Sequence, residues 1–154
     1  MHAHRLNAYE LAPAGMKALQ AVEAYLHQTA LGERLIELVK MRASQINGCA
    51  YCLDMHSKAL RRDGETEQRI YLLNAWRESP LYTPRERAAL AWTEAVTRIA
   101  DAPPADEAYT ELRRHFDDKE VVDLTTLIGM INLWNRLAIS MGYEHAAEAK
   151  DKAA

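Results

Sequence analysis

Hydrophobic side chains recur every three or four residues along most of the chain, which is the period of an amphipathic helix. In the first such segment, from about Leu11 to Thr29, the recurring residues are Met16, Leu19, Val22 and Leu26. Polar residues fill the opposite face, which we expect to be solvated. The pattern therefore predicts a first helix that packs one face against a core.

Clusters of glycine, proline and aspartate divide the rest of the chain into further segments of helical period. No repeat, low-complexity tract or flexible linker separates them, so we predict one all-α domain of about seven helices over residues 1–154. Thr83 to Glu86 form a capping box with proline at the first helical position, and Asn47-Gly48 is a typical helix end. The other predicted helices cover approximately residues 32–46, 49–61, 66–76, 83–99, 103–116 and 119–141.

The last predicted helix, residues 119–141, is apolar around most of its circumference. Its polar side chains would be costly inside a bilayer, so we predict a central or subunit-interface helix rather than a membrane span. An interface would require a homo-oligomer. For the group Asn132, Trp134, Asn135 and Arg136, hydrogen-bonded ties between helices or subunits are favoured over a substrate pocket.

The charge pattern indicates which kinds of partner the protein binds, and the N-terminal residues indicate its cellular compartment. The 154 residues include 22 acidic and 19 basic side chains, which gives a formal net charge of -3. Both signs are scattered and no basic run occurs, so the pattern argues against a nucleic-acid partner and favours small molecules or proteins. The first residues lack the charged-then-apolar order of a secretory signal. We therefore expect a cytoplasmic protein that does not associate with membranes.

The sequence contains two cysteines, Cys49 and Cys52. A disulfide between residues this close encloses too short a loop to stabilise a secreted fold. The same spacing is typical of redox or metal chemistry in a reducing compartment. If a helix begins near Cys49, His56 lies one turn beyond Cys52, and two thiols and an imidazole share one face. The helix dipole and the imidazole favour a thiolate, and the second thiol can convert a sulfenic acid into a disulfide.

Two other interpretations of these residues stay open. Cys49, Cys52 and His56 could bind zinc with Glu37 as the fourth ligand, or both thiols could be small buried apolar groups. Glu37 taken alone would be a solvated helix charge. The other five histidines show no ligand spacing with one another, and we leave them outside the site.

The spacing of four residues is specific. Eleven residues separate Glu37 from Cys49, two separate Cys49 from Cys52, and three separate Cys52 from His56. This spacing, with the string Ser-Gln-Ile-Asn-Gly-Cys-Ala-Tyr-Cys, resembles the core signature of the alkylhydroperoxidase D-like (AhpD-like) proteins of the carboxymuconolactone decarboxylase superfamily. The likeness is strongest over residues 37–60 and continues more weakly into the last long helix.

The resemblance implies an AhpD-like helical bundle that assembles into a homo-oligomer, a trimer or hexamer, with antioxidant peroxidase activity. It further implies that Cys52 attacks a hydroperoxide and that Cys49 resolves the product, although the helix dipole alone would select Cys49 as the attacking thiol. His56 is then the base for Cys52, and Glu37 passes or holds the proton. Such a cycle needs no metal or other cofactor, but it needs an external dithiol, thioredoxin-like or lipoyl reductant.

Tyr51 departs from the family pattern, because the best-studied relatives carry a relay histidine directly before the second cysteine. Tyrosine can donate a hydrogen bond, but with an unperturbed pKa of about 10 it is a poor base at neutral pH. We expect Tyr51 to line the pocket or to be simple packing. Two alternative functions remain: a carboxymuconolactone decarboxylase-like enzyme, although typical members of that branch lack the paired cysteines, and a non-enzymatic thiol sensor or zinc-binding module.

Overall fold

The computed structural model describes residues 4–147. Within this range the chain forms eight α-helices and one 3₁₀ helix, and no β-strand occurs there. The predicted all-α class is therefore confirmed, with one more helix than the approximate count. The helices are α1 (Ala8–Leu11), α2 (Pro13–Leu26), α3 (Glu33–Asn47), α4 (Ala50–Arg62), α5 (Glu67–Leu72), a 3₁₀ helix (Leu73–Ala75), α6 (Pro84–Thr97), α7 (Asp106–Arg113) and α8 (Asp118–Met141).

Local geometry explains where the observed helices differ from the predicted ones. Pro13 takes the first helical position of α2, so the predicted first helix begins later and α1 remains as a separate turn. The segment predicted over residues 66–76 tightens into the 3₁₀ helix after Leu72. α7 ends at Arg113, before Phe116, although the Phe116 side chain still enters the core. The periodicity thus located the buried side chains better than the helix ends.

α8 is the central helix, and it packs against α2, α3, α4, α6 and α7. It begins with a capping box between Asp117 and Glu120, as α6 begins with the predicted one between Thr83 and Glu86. The prediction that this helix is central is confirmed. Within residues 4–147, no helix is both long enough and apolar enough to cross a membrane.

Polar side chains of α8 hold the C-terminal end of α3 in place. The Nδ2 atom of Asn47 donates to the Oδ1 atoms of Asn132 and Asn135, at 3.0 and 2.8 Å. Asn135 in turn donates from Nδ2 to Ser44 Oγ at 2.9 Å. Because buried amides need partners, this network fixes the α3 end, and the predicted structural role of the asparagines is confirmed.

Gly48 forms the turn between α3 and α4. Its φ of +69° lies in the left-handed region, and its N–H caps α3 on the carbonyl of Ser44. We expect Gly48→Ala to lower the free energy of unfolding by about 1 kcal/mol, because a Cβ destabilises this backbone conformation. No heavy atom lies within 4 Å of the new Cβ position, so urea unfolding would report backbone strain alone.

Gly15, on the exposed face of α2, is the matched control for Gly48→Ala. It has no positive φ, and a Cβ there also meets no atom within 4 Å. Gly15→Ala should therefore raise the free energy of unfolding by about 0.5–1 kcal/mol through its helix propensity. Changes of equal sign in the two variants would contradict the strain assigned to Gly48.

Candidate active site

Cys49 and Cys52 lie at the start of α4, directly after the Gly48 turn. Cys49 is the N-cap residue, and its Sγ accepts a hydrogen bond from the backbone N–H of Cys52 at 3.3 Å. The Cys49 N–H donates to the Ser44 carbonyl at 3.1 Å. The predicted helix start near Cys49 is confirmed, so a charge on sulfur there would lie beside unpaired N–H groups.

The two cysteines form a disulfide in this structure, with their Cα atoms 5.3 Å apart. Each residue is only 1% exposed. Ala138 of α8 packs against the pair, and the partly buried rings of Tyr51 and Tyr143 complete the cover. The pair is therefore shielded from bulk solvent on most sides.

His56 and Glu37 meet close to the cysteine pair, as the resemblance to AhpD-like proteins implied. Glu37 comes from α3 and His56 from α4, and His56 Nδ1 lies 2.8 Å from Glu37 Oε2. The two side chains are 6% and 8% exposed. The other ring nitrogen of His56, Nε2, is buried and has no hydrogen-bond partner among the described residues. When Glu37 is ionised and the imidazole is neutral, Glu37 accepts the Nδ1–H hydrogen and the lone pair lies on Nε2.

The carboxyl group of Glu37 keeps a low pKa although it is buried. Burial raises the pKa of a carboxyl group, but the hydrogen bond of His56, and its charge when the imidazole is protonated, act in the opposite direction. The positive charge of Lys40 adds to this effect, as does that of His27 when its ring is protonated, and together these groups hold the pKa of Glu37 below its ordinary value. The carboxylate form is therefore the stable one at neutral pH.

A cavity of about 680 Å³ opens beside the site. Cys52, His56 and Glu37 line it, whereas Cys49 is absent from its lining. The walls are largely apolar, which is typical of a small-molecule site. The apolar and aromatic lining residues are Tyr9, Tyr51, Met55, Ala59, Ile131, Trp134, Ala138, Tyr143 and Ala146.

A second polar group lines the same cavity, and no motif in the sequence predicts it. Lys40 Nζ lies 2.7 Å from Glu23 Oε2 and 3.2 Å from His27 Nε2. Trp134 Nε1 donates to Glu23 Oε1 at 2.7 Å. Trp134 therefore ties α8 to α2, as expected, and it also lines the cavity. The position of Lys40, one turn after Glu37, was the only sequence signal available.

The remaining histidines divide between the cavity and the surface. His27 and His145, which the spacing did not connect with the site, line the cavity. His4 stacks on Tyr143 at 6.1 Å between ring centroids, and His115 lies near Glu111 on the surface. His2 lies outside the described residues.

Tyr51 combines the two expected roles. It lines the cavity, and its ring meets Tyr143 edge-on with centroids 5.6 Å apart. As for metal binding, no group of three or more histidine, cysteine, aspartate or glutamate side chains is placed to hold an ion within residues 4–147.

The fold and the site define a class: an all-helical protein with a Cys-x-x-Cys pair at a helix start and a buried Glu–His pair beside it. The sequence model of the Carboxymuconolactone decarboxylase family matches residues 12–95, which is more than half of the chain. The chain belongs to this family, and its structural relatives identify it as an AhpD-like member.

Two curated relatives match the chain over long stretches. The uncharacterized protein YdfG of Bacillus subtilis (strain 168) is 46% identical over 144 residues, which cover 94% of this chain and 98% of YdfG. The uncharacterized protein YnjA of Escherichia coli (strain K12) is 37% identical over 106 residues, covering 68% of this chain and 57% of YnjA.

Two crystal structures resemble the fold closely. A protein of unknown function from Agrobacterium tumefaciens, whose name connects it with the antioxidant defence protein AhpD, has a TM-score of 0.90 and 48% identity over 94% of this chain and 99% of its own. An uncharacterized peroxidase-related protein from Silicibacter sp. TM1040 has a TM-score of 0.80 and 28% identity, covering 92% of this chain and 75% of its own.

Proposed function

We propose that this protein is a thiol peroxidase that reduces organic hydroperoxides through a dithiol–disulfide cycle of Cys49 and Cys52. The observation that carries the proposal is the placement of Cys52 and the His56–Glu37 pair on one cavity, with Cys49 behind Cys52. The names of two similar structures, one connected with AhpD and one peroxidase-related, support it.

The first step oxidises Cys52. His56 Nε2 accepts the thiol proton, and the Cys52 thiolate attacks the terminal oxygen of the hydroperoxide ROOH. An S–O bond forms and the O–O bond breaks, so Cys52 becomes a sulfenic acid. The alkoxide leaves as the alcohol ROH, because it takes the proton that His56 holds.

The second step closes the disulfide. The Cys49 sulfur attacks the sulfenic sulfur of Cys52, an S–S bond forms, and the S–O bond breaks. The hydroxide leaves as water with the Cys49 proton. An external dithiol then supplies two electrons and two protons and becomes a disulfide itself. The cycle needs no metal or flavin.

The assignment of Cys52 as the attacking residue rests on access. Cys52 lines the cavity, whereas Cys49 does not and is covered at the helix start. His56, one turn after Cys52, is the nearest candidate base on the same helix face. A cavity of about 680 Å³ is also far larger than hydrogen peroxide needs, which favours an organic hydroperoxide as substrate.

The partners of the cycle follow from the same chemistry. The reductant is a small or lipoyl dithiol or a thioredoxin-like protein, in the reducing compartment of the cytoplasm. We propose a homo-oligomer, a trimer or hexamer, because α8 exposes apolar residues to solvent. These are Val122, Leu133 and Ile139, which are 64%, 36% and 45% exposed.

The proposal is tested by adding one equivalent of cumene hydroperoxide to the fully reduced protein. We expect both thiols to disappear, one equivalent of cumyl alcohol to form, and both thiols to return with dihydrolipoamide. Protein alkylated with iodoacetamide is the control and should consume no hydroperoxide. Thiols that persist in the presence of hydroperoxide would refute the proposal, and lactone decarboxylation by the alkylated protein would assign the decarboxylase function instead.

A further inference from the structure

The cysteine pair is in its oxidised form in this structure, and a reductant has to open that disulfide before the cycle can start again. Thiol–disulfide exchange begins when a thiolate attacks one of the two sulfurs, and the other sulfur then leaves. The two possible first steps give different mixed disulfides, one on Cys49 and one on Cys52. The peroxidase cycle is compatible with either step.

Access through the cavity distinguishes the two cysteines, although exposure to bulk solvent does not. Cys49 and Cys52 are each 1% exposed. Cys52 lines the cavity of about 680 Å³, whereas Cys49 is absent from its lining. Cys49 lies at the N-cap of α4, in the cluster that Ala138 and Tyr143 cover. A thiol that enters the cavity therefore meets Cys52 first.

The position of Cys49 suits a leaving thiolate. Its Sγ accepts a hydrogen bond from the backbone N–H of Cys52 at 3.3 Å, in the first turn of α4. A negative charge on this sulfur is stabilised by that N–H and by the positive end of the helix dipole. A sulfur whose thiolate form is stabilised leaves faster in thiol–disulfide exchange.

A base for the incoming thiol lies in the same cavity. His56, one turn after Cys52, lines the cavity, and its Nε2 atom is buried without a hydrogen-bond partner among the described residues. When Glu37 is ionised and the ring is neutral, Nε2 can accept the proton of a thiol. The base and the Cys52 sulfur are therefore reached from one cavity.

We propose that the reductant opens the disulfide at Cys52 and that Cys49 is the leaving sulfur. The first thiol of the reductant gives its proton to His56 Nε2, and its sulfur forms a bond with Cys52 Sγ. The bond between the two cysteines breaks, and its electron pair stays on Cys49 Sγ. The inference rests on the dithiol–disulfide cycle of the proposed function, and Cys52 then contacts both the hydroperoxide and the reductant.

The second thiol of the reductant completes the exchange. It attacks the reductant sulfur that is bound to Cys52, so the disulfide of the oxidised reductant forms and the bond to Cys52 breaks. One proton of the dithiol reaches the Cys52 thiolate from His56, and the other reaches the Cys49 thiolate. The reductant loses two electrons and two protons, and the protein regains both thiols.

Mixed disulfides of single-cysteine variants test which sulfur is attacked, without any hydroperoxide. Each mixed disulfide is an intermediate in both directions of the exchange, so its formation from an oxidised probe identifies the path of reduction. Reduced Cys49→Ser and Cys52→Ser proteins are treated with bis(2-hydroxyethyl) disulfide, and mass spectrometry follows the adduct. The ultraviolet absorbance of the thiolate gives the ionised fraction. Per thiolate, Cys52 should react at least about tenfold faster than Cys49.

Two tryptophan substitutions on α4 test the route in protein that keeps both cysteines. Ala59 is partly buried and lines the cavity, so Ala59→Trp should fill part of it. Ala50→Trp is the matched control, because Ala50 directly follows Cys49, is exposed and does not line the cavity. With dithiothreitol, Ala59→Trp should slow the reduction of the disulfide at least about tenfold, and Ala50→Trp should keep the wild-type rate. Acid quenching, N-ethylmaleimide and mass spectrometry count the thiols.

Either comparison can overturn the inference. A rate per thiolate for Cys49 that equals or exceeds that of Cys52 would do so, and so would a wild-type rate of reduction in folded Ala59→Trp. Circular dichroism identifies the folded variants, and where a variant does not fold the other comparison decides.

The inference and the proposed function can fail separately. Preferred attack at Cys52 in a protein that consumes no cumene hydroperoxide would refute the peroxidase function and keep the opening of the disulfide at Cys52. Preferred attack at Cys49 in a protein that does consume cumene hydroperoxide would refute the inference alone.

Discussion

Cys52→Ser protein should lose hydroperoxide turnover by more than about a thousandfold, because a serine hydroxyl stays protonated at neutral pH and is a far weaker nucleophile than a thiolate. The measurement is the consumption of cumene hydroperoxide with dihydrolipoamide in excess. Cys52 is small and buried, so the serine variant is expected to fold. Circular dichroism checks that the helices remain.

Cys49→Ser is the matched variant, and it should still react once with hydroperoxide, unlike Cys52→Ser. The first equivalent of hydroperoxide should react, because Cys52, His56 and Glu37 are intact, but the cycle should stop at the Cys52 sulfenic acid. A dimedone adduct on Cys52, detected by mass spectrometry, would show this species. A dimedone adduct on Cys49 of the Cys52→Ser protein after the first equivalent of hydroperoxide, without an adduct on Cys52 of the Cys49→Ser protein, would reverse the two assignments.

The sequence was sufficient to place the cysteines and their base because their geometry is local. Cys49, Cys52 and His56 lie within two helical turns, so helical spacing alone brings them to one face. Glu37 is different, because its approach depends on how α3 packs against α4. Its pairing with His56 was expected only from the resemblance to AhpD-like proteins, and the 2.8 Å hydrogen bond between them agrees with it.

The second polar group of the cavity could not be predicted from the sequence, for a physical reason. Glu23, Lys40 and Trp134 come from three helices and meet only through tertiary packing. Each has an ordinary alternative explanation: a charged residue on a solvated helix face, or an aromatic residue in a core. The burial of Lys40, which makes it informative, is a property of the folded chain and not of its local sequence.

Glu37→Gln should reduce the hydroperoxide turnover by about a hundredfold, within the range that general acid–base groups contribute. The glutamine amide can still occupy the space and accept from His56 Nδ1–H. However, it can also donate to Nδ1, so it no longer selects the tautomer, and it carries no charge to stabilise the imidazolium that forms when His56 takes the Cys52 proton. The initial rate with cumene hydroperoxide, together with the rate of Cys52 alkylation, measures both effects.

Circular dichroism of the Glu37→Gln protein separates a loss of the carboxylate charge from a loss of the fold. Wild-type turnover in Glu37→Gln would remove the carboxylate from the mechanism altogether, because its hydrogen bond to His56 would then serve packing alone.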